Sequence, residues 1–125
     1  MKPVFPAHSH SPLGPYSPGF AVGNMMFVSG QIPRDNQGQM RNESIEIATR
    51  TVLDNLRHVL VAGGFAPYHV VKTTVFMQDL ADFEGMNKIY AEFFGHHRPA
   101  RSTVQVSKLP AGARVEIECI AVKES

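Results

Sequence analysis

The chain of 125 residues holds a single cysteine, Cys119, which excludes an intramolecular disulfide and suits a reducing compartment. Cys119 falls in the apolar half of a strand pattern, so it reads as a small buried hydrophobe rather than a nucleophile. Charge is sparse as well. A formal net charge of +1, with Lys and Arg scattered rather than blocked, supplies no long-range field for gripping nucleic acid, and no nucleic-acid partner is expected. No apolar run approaches the roughly 20 residues that span a bilayer. The amino terminus also lacks the charged, apolar and cleavage regions of a signal peptide. The expectation is a cytoplasmic protein with no membrane partner. There is no internal repeat, and no low-complexity tract beyond a proline-rich beginning.

What is present fits one ordinary domain over residues 1–125, with 43% hydrophobic content and length for a single core. Residues 1–19 carry five of the nine prolines and read as an extended arm, with a first strand over Lys2 to Phe5. Phe20 to Val22, Gly23-Asn24 and Met25 to Ser29 read as a hairpin, Gly and Asn supplying the positive φ of a tight turn. Asp35 to Gly38 is a loop of turn formers. From Ser44 to Ala62, the residues Ile45, Ala48, Val52, Leu56 and Val59 recur at three or four and form one helical stripe, stopped by Gly63-Gly64. Val70 to Gln78 is β-branched and reads as a strand, with Asp79 as a cap for the next helix. Phe83, Met86, Tyr90 and Phe93 then line a second helix that ends at Gly95.

Two final segments, Pro99 to Val106 and Arg114 to Val122, alternate with period two, so their side chains sort onto opposite faces of a sheet. Taking Val104 and Val106 as the core side of the first leaves Arg101, Thr103 and Gln105 on the other. Val115, Ile117, Cys119 and Ala121 form the apolar side of the second and send Arg114, Glu116 and Glu118 opposite. If both apolar sides pack on the same core, Arg101 and Glu116 project from one surface, the expected place for chemistry. The order β-β-α-β-α-β-β predicts an α+β domain of two layers, with two helices covering one face of the sheet. The bare face would carry Phe76, Ile120 and Val122, too apolar for a small monomer, so a homo-oligomer is expected.

Six strings stand in the order and spacing of the RidA/YjgF/L-PSP family. They are Gly14-Pro15-Tyr16-Ser17, Phe27 to Pro33, Thr74-Val75-Phe76, Asp82-Phe83 with Met86 to Tyr90, Pro99 to Ser102, and Val115 to Glu118. The chain resembles that family from about Gly14 to Val122. The resemblance implies a chorismate-mutase-like fold with a mixed β-sheet, assembled as a homotrimer with ligand clefts between subunits. It implies an enamine/imine deaminase that hydrolyses 2-aminoacrylate and 2-iminopropanoate, or 2-iminobutanoate, to a 2-oxo acid and ammonia, with no cofactor and no metal. By the same match Arg101 takes the substrate carboxylate through its planar fork. Glu116 holds the attacking water. Tyr16, Ser29, Gly30, Asn87 and Thr103 line the cleft. Thr103 stands where several relatives carry cysteine, so a thiol is not essential here. If the last two strands formed a simple hairpin, Glu116 would face Gln105 and leave Arg101 about 13 Å away, at roughly 3.3 Å per residue. The resemblance implies a further strand between the two.

Other readings find less support. His8 with His10, and His96-His97, lack the i, i+4 spacing and companion carboxylate of a zinc enzyme. Ser17 and Ser29 have no evident His and Asp partners. RNA cleavage would draw on His96-His97-Arg98 and Arg101, but a basic stripe and an aromatic stacking platform are absent. A non-catalytic binding or holdase trimer would need only Arg101, whereas Glu116 favours hydrolysis. Residues Phe94 to Arg98 read as a loop able to reshape the cleft.

Overall fold

The stripe of Ile45, Ala48, Val52, Leu56 and Val59 is buried along one side of helix α1 (Ile45–Ala62) in the computed structural model of the chain, which describes residues 1–7 and 11–124. Ser44 caps this helix: its backbone is extended and its hydroxyl accepts the Ile47 N–H at 3.1 Å, satisfying one of the orphan amides of the first turn. Gly63 closes it, donating its N–H to the Leu60 and Val59 carbonyls. Helix α2 (Phe83–Phe94) buries Met86, Ile89, Tyr90 and Phe94 and stops at Gly95, whose φ of 64° few other residues adopt readily. The buried stripe is turned slightly from the expected one. Phe83 remains 37% exposed and Phe93 only partly buried, while Phe94, expected in a loop, is a core residue of the last turn.

Six strands form one sheet: β1 (Lys2–Val4), β2 (Gly19–Val22), β3 (Met25–Gln31), β4 (Val70–Met77), β5 (Ala100–Gln105) and β6 (Val115–Val122), in the order β1-β2-β3-β6-β4-β5. Only the β4–β5 pair is parallel, so the sheet is mixed, as expected. Both helices pack on one face, against Met26, Val28, Val75, Met77, Val115, Ile117, Cys119 and Ala121. In the β2–β3 hairpin only Gly23 takes positive φ. Asn24 has a different use: its amide donates to the Lys123 carbonyl at 2.9 Å and its own carbonyl accepts the Lys123 N–H at 2.8 Å, tying the end of β6 to the turn. Neither helix is long and apolar enough to cross a membrane.

The other face is bare, as the sequence predicts, and more apolar than expected. Phe20, Phe27 and Ile120 stand side by side across β2, β3 and β6, and Val104 and Phe76 pair across β5 and β4. Phe27 is 42% exposed and Val104 43%. The position of Val104 corrects the facing read from the sequence. Val104 pairs with Phe76, which pairs in turn with Glu116, so these three share the bare face. Arg101 pairs with Thr73, which pairs with Cys119, and both lie toward the helices. Arg101 and Glu116 therefore leave the sheet on opposite faces. The expectation failed because β5 is an edge strand whose alternation was assigned by apolarity, and Val104 joins the apolar bare face instead of the core.

Leu56 is fully buried between the layers. Leu56→Ala is expected to lower unfolding free energy by about 2–5 kcal/mol, and Ser44→Ala by about 1 kcal/mol, in denaturant titrations.

Candidate functional site

Glu116 sits near the start of β6 on the bare face, opposite an irregularity in β3. Between Val28 and Gln31 the β3 chain advances three residues while β6 advances two, from Cys119 to Ile117, a bulge that carries Ser29 and Gly30. The Glu116 side chain lies across Gly30: a Cβ built there would be 2.5 Å from Glu116 Oε2 and 2.8 Å from its carboxyl carbon. Only glycine leaves room for the carboxylate. Ser29 anchors the preceding loop, its hydroxyl donating to the Ser17 carbonyl at 2.6 Å and its N–H to the Pro18 carbonyl at 2.8 Å. That loop carries Tyr16, which is 47% exposed. Burial pushes the Glu116 carboxyl above the ordinary carboxylate range, and the neighbouring Glu118 charge adds to the shift. A carboxylate so placed is a better acceptor for a proton from water than one free in solvent.

Tyr16 and Gly30 also border a cavity of about 380 Å³ between the arm, the segment after β3 and α1, with Ile32, Arg34, Asn55 and Val61 around it. Asn55 shapes this wall from α1, donating to the Ile32 and Arg34 carbonyls at 3.1 and 2.7 Å. Of these wall residues, Arg34, Asn55 and Val61 are not distinguishable in the sequence from ordinary loop and helix-surface positions.

Arg101 belongs to a second group, on the helix side of β5. Its guanidinium carbon lies 4.7 Å from the centre of the Tyr90 ring and 5.6 Å from that of Phe83, and Nη1 is 4.0 Å from the Met86 sulfur. No carboxylate of the described residues pairs with it. Asn87 lies on the same helical stripe as Phe83 and Tyr90, four residues after one and three before the other. Thr103, two residues along β5 from Arg101 and on the same face, has its hydroxyl buried without a hydrogen-bond partner. A free cation and an unsatisfied buried hydroxyl on one face form a place for an anion with acceptor oxygens. In the sequence, Phe83, Met86 and Tyr90 read as core. Their helical spacing is the same whether the stripe covers aliphatic side chains or an arginine.

The seven residues singled out in the sequence thus fall into two clusters in one chain: Tyr16, Ser29, Gly30 and Glu116 in the first, Asn87, Arg101 and Thr103 in the second. β4 runs between β6 and β5, as the resemblance implied, and the strand partners of Glu116 and Arg101 on it, Phe76 and Thr73, are three residues apart. That offset is about 10 Å at roughly 3.3 Å per residue, before the opposite facing is counted. Of the other chemistry weighed, burial pushes the Cys119 thiol up to about 12, which keeps it a protonated core group. The His97 ring is engaged with the Val70 carbonyl at 2.6 Å. No three His, Cys, Asp or Glu side chains of the described residues converge as metal ligands, and His8 and His10 lie outside those residues.

A sequence model of the endoribonuclease L-PSP family matches residues 7–123. A RutC family protein of Pyrococcus horikoshii is 43% identical, over 97% of this chain and 97% of its own. The 2-iminobutanoate/2-iminopropanoate deaminase of Salmonella typhimurium is 38% identical over 98% of each. The crystal structure of E. coli TdcF with bound serine matches with a TM-score of 0.94 at 38% identity, covering 99% of this chain and 100% of that one. With a family model matching nearly the whole chain and relatives of this identity and fold over almost their full length, the chain belongs to the RidA/YjgF/L-PSP family.

Proposed function

We propose that the protein hydrolyses small 2-imino acids and their enamine tautomers to 2-oxo acids and ammonia, in a homotrimer whose clefts join the Glu116 cluster of one subunit to the Arg101 cluster of its neighbour. The observation that carries this reading is the division itself. A three-carbon acid cannot touch two groups on opposite faces of one sheet, whereas a second copy docked on the bare apolar face supplies the missing half. The bare face has apolar surface for such docking in two groups, Phe20, Phe27 and Ile120 across β2, β3 and β6, and Phe76 and Val104 across β4 and β5, with Thr74 and Glu118 paired between them. The family match and the deaminase name of the Salmonella relative support the reaction class. The serine bound to TdcF is an amino acid of the substrate's size.

In this mechanism Arg101 takes the carboxylate with two parallel hydrogen bonds, and Thr103 and Asn87 offer further polar contacts. Glu116 orients a water and accepts its proton as the oxygen bonds to the carbon of the protonated imine, giving a neutral carbinolamine. The same carboxyl passes that proton to the amino nitrogen, and as the C–N bond breaks the carbinolamine hydroxyl gives its own proton to the freed carboxylate, releasing ammonia and leaving the 2-oxo acid. Solvent or the departing ammonia then takes the proton from Glu116. An imine next to a carboxylate is already electrophilic, so positioning supplies most of what is needed, and well-oriented intramolecular reactions reach effective molarities of about 10⁵ M or more. No cofactor enters these steps.

The test is 2-oxo acid release from 2-iminopropanoate and 2-iminobutanoate generated in place by a serine/threonine dehydratase, with semicarbazide trapping the residual imine. Glu116→Ala is expected to lower turnover by about 10²-fold or more while 2-oxobutanoate still binds. Arg101→Ala is expected to weaken that binding by about tenfold or more, the value of a charge-assisted pair. Turnover unchanged in Glu116→Ala would remove its role, and a purely ligand-binding protein would then be the better reading.

The geometry around Glu116 yields two further expectations. Gly30→Ala, which places a methyl group where the carboxylate now lies, is expected to cost activity comparably to Glu116→Ala while the fold, monitored by circular dichroism, persists. Because the Glu116 carboxyl titrates above its ordinary value and works as the anion, activity should fall on the acid side with a midpoint above the usual carboxylate range. Glu118→Gln removes a like charge and should move that midpoint down. A pH–rate profile of the two proteins reads the sign directly.

A further inference from the structure

Arg101 is held in a way that an ordinary surface arginine is not. Its guanidinium lies over the Tyr90 ring at 4.7 Å, with Phe83 at 5.6 Å and the Met86 sulfur at 4.0 Å, all three from α2. Tyr90 is itself fixed. Its hydroxyl is 2.8 Å from Thr73 Oγ1, a bond buried between the sheet and α2. Thr73 is the β4 residue directly paired with Arg101 on β5. The contacts close a circuit from the Arg101 backbone through Thr73 and Tyr90 back to the Arg101 guanidinium, locking α2, β4 and β5 around one cation. Thr73 is fully buried, and a polar side chain there is tolerated because it has this partner.

Aromatic faces offer an arginine what a carboxylate would not. They offset its charge through the ring quadrupole while occupying none of its N–H donors, which lie in the guanidinium plane. Of these, Nη1 makes a long contact to the Met86 sulfur, a weak acceptor that a carboxylate outcompetes. A carboxylate partner in the same place would hold those donors and compete with an incoming anion. We propose that Tyr90, pinned by Thr73 and backed by Phe83, positions Arg101 so that its donor edge is presented to the substrate carboxylate, and that the preference for imines bearing a carboxylate depends on this aromatic shelf. Tyr90 and Phe83 are positioning residues in this scheme, acting through Arg101. The proposal rests on Arg101 being the carboxylate anchor of the proposed function.

The experiment measures 2-oxobutanoate binding by calorimetry together with steady-state deamination of 2-iminobutanoate, for Phe83→Leu, Tyr90→Leu and Tyr90→Phe, each made with Arg101 and with Arg101→Lys. With Arg101 present, Phe83→Leu and Tyr90→Leu are expected to weaken binding by about three- to tenfold and raise KM in parallel, with kcat within about twofold, the range of one lost cation–π contact. Tyr90→Phe keeps the ring face and should lie between wild type and Tyr90→Leu. With Arg101→Lys the shelf substitutions should lose most of their effect, because the ammonium lacks the stacked plane. Phe83 is partly exposed, so Phe83→Leu guards against a Tyr90 variant that fails to fold. Wild-type affinity in Phe83→Leu and in folded Tyr90→Leu would overturn the proposal, as would equal losses with arginine and with lysine. Undiminished binding in Arg101→Ala would instead contradict the anchor, and the functional reading would fall with it.

Discussion

β4 lies between β6 and β5, and its pleat sends Thr73, Val75 and Met77 toward the helices and Phe76 toward the bare face. Every residue paired with these inherits its facing, so Cys119 and Arg101 go with Thr73 while Glu116 and Val104 go with Phe76. Shifting one strand by a residue would reverse the assignment and expose the core side chains of that strand, so the division is fixed by the same burial that holds the fold together. The separation of cation from carboxylate is therefore built into the core. A site that needs both has to be completed by another copy of the chain, and the apolar face left open by the helices is the surface on which that copy would dock.

Within each half, backbone geometry and packing set the side chains more than direct pairing does. The bulge at Ser29-Gly30 re-aims β3 just where Glu116 crosses it, and the absent side chain of Gly30 makes space for the carboxyl group. Burial there raises the proton affinity of Glu116. On the other face, α2 provides rings rather than acids beside Arg101, which leaves its charge available. The two halves are complementary: one offers a basic oxygen, the other donors without a counter-ion.

Much of this was legible in the residues. The period of α1, its Ser44 cap and glycine stop, the β-branched run of β4 and the alternation of β6 are local signals, and each element formed within a few residues of its expected ends. The site residues were legible only through family motifs, since Tyr16, Ser29 and Asn87 have no chemical signature in isolation. The facing of β5 was not legible. Arg101-Ser102-Thr103-Val104 alternates cleanly, but on an edge strand the apolar residue can serve an interface between chains as well as a core, and the pattern is identical in the two cases. Strand order was also hidden, because period two fixes facing and carries no information about neighbours. The arginine shelf was invisible for a related reason: Phe83, Met86 and Tyr90 pack as a core stripe would, and only the three-dimensional position of Arg101 distinguishes them.

The most direct measurement of a site shared between chains is complementation. Arg101→Ala and Glu116→Ala proteins, each nearly inactive alone, are unfolded together and refolded as mixed oligomers, and imine hydrolysis is compared with that of the separately refolded variants. Where one chain supplies Arg101 and its neighbour Glu116, random mixing in equal amounts rebuilds about a quarter of the sites, and activity should rise toward that fraction of the wild-type value. Mixed oligomers that stay as inactive as their parents would contradict a cleft built from two chains.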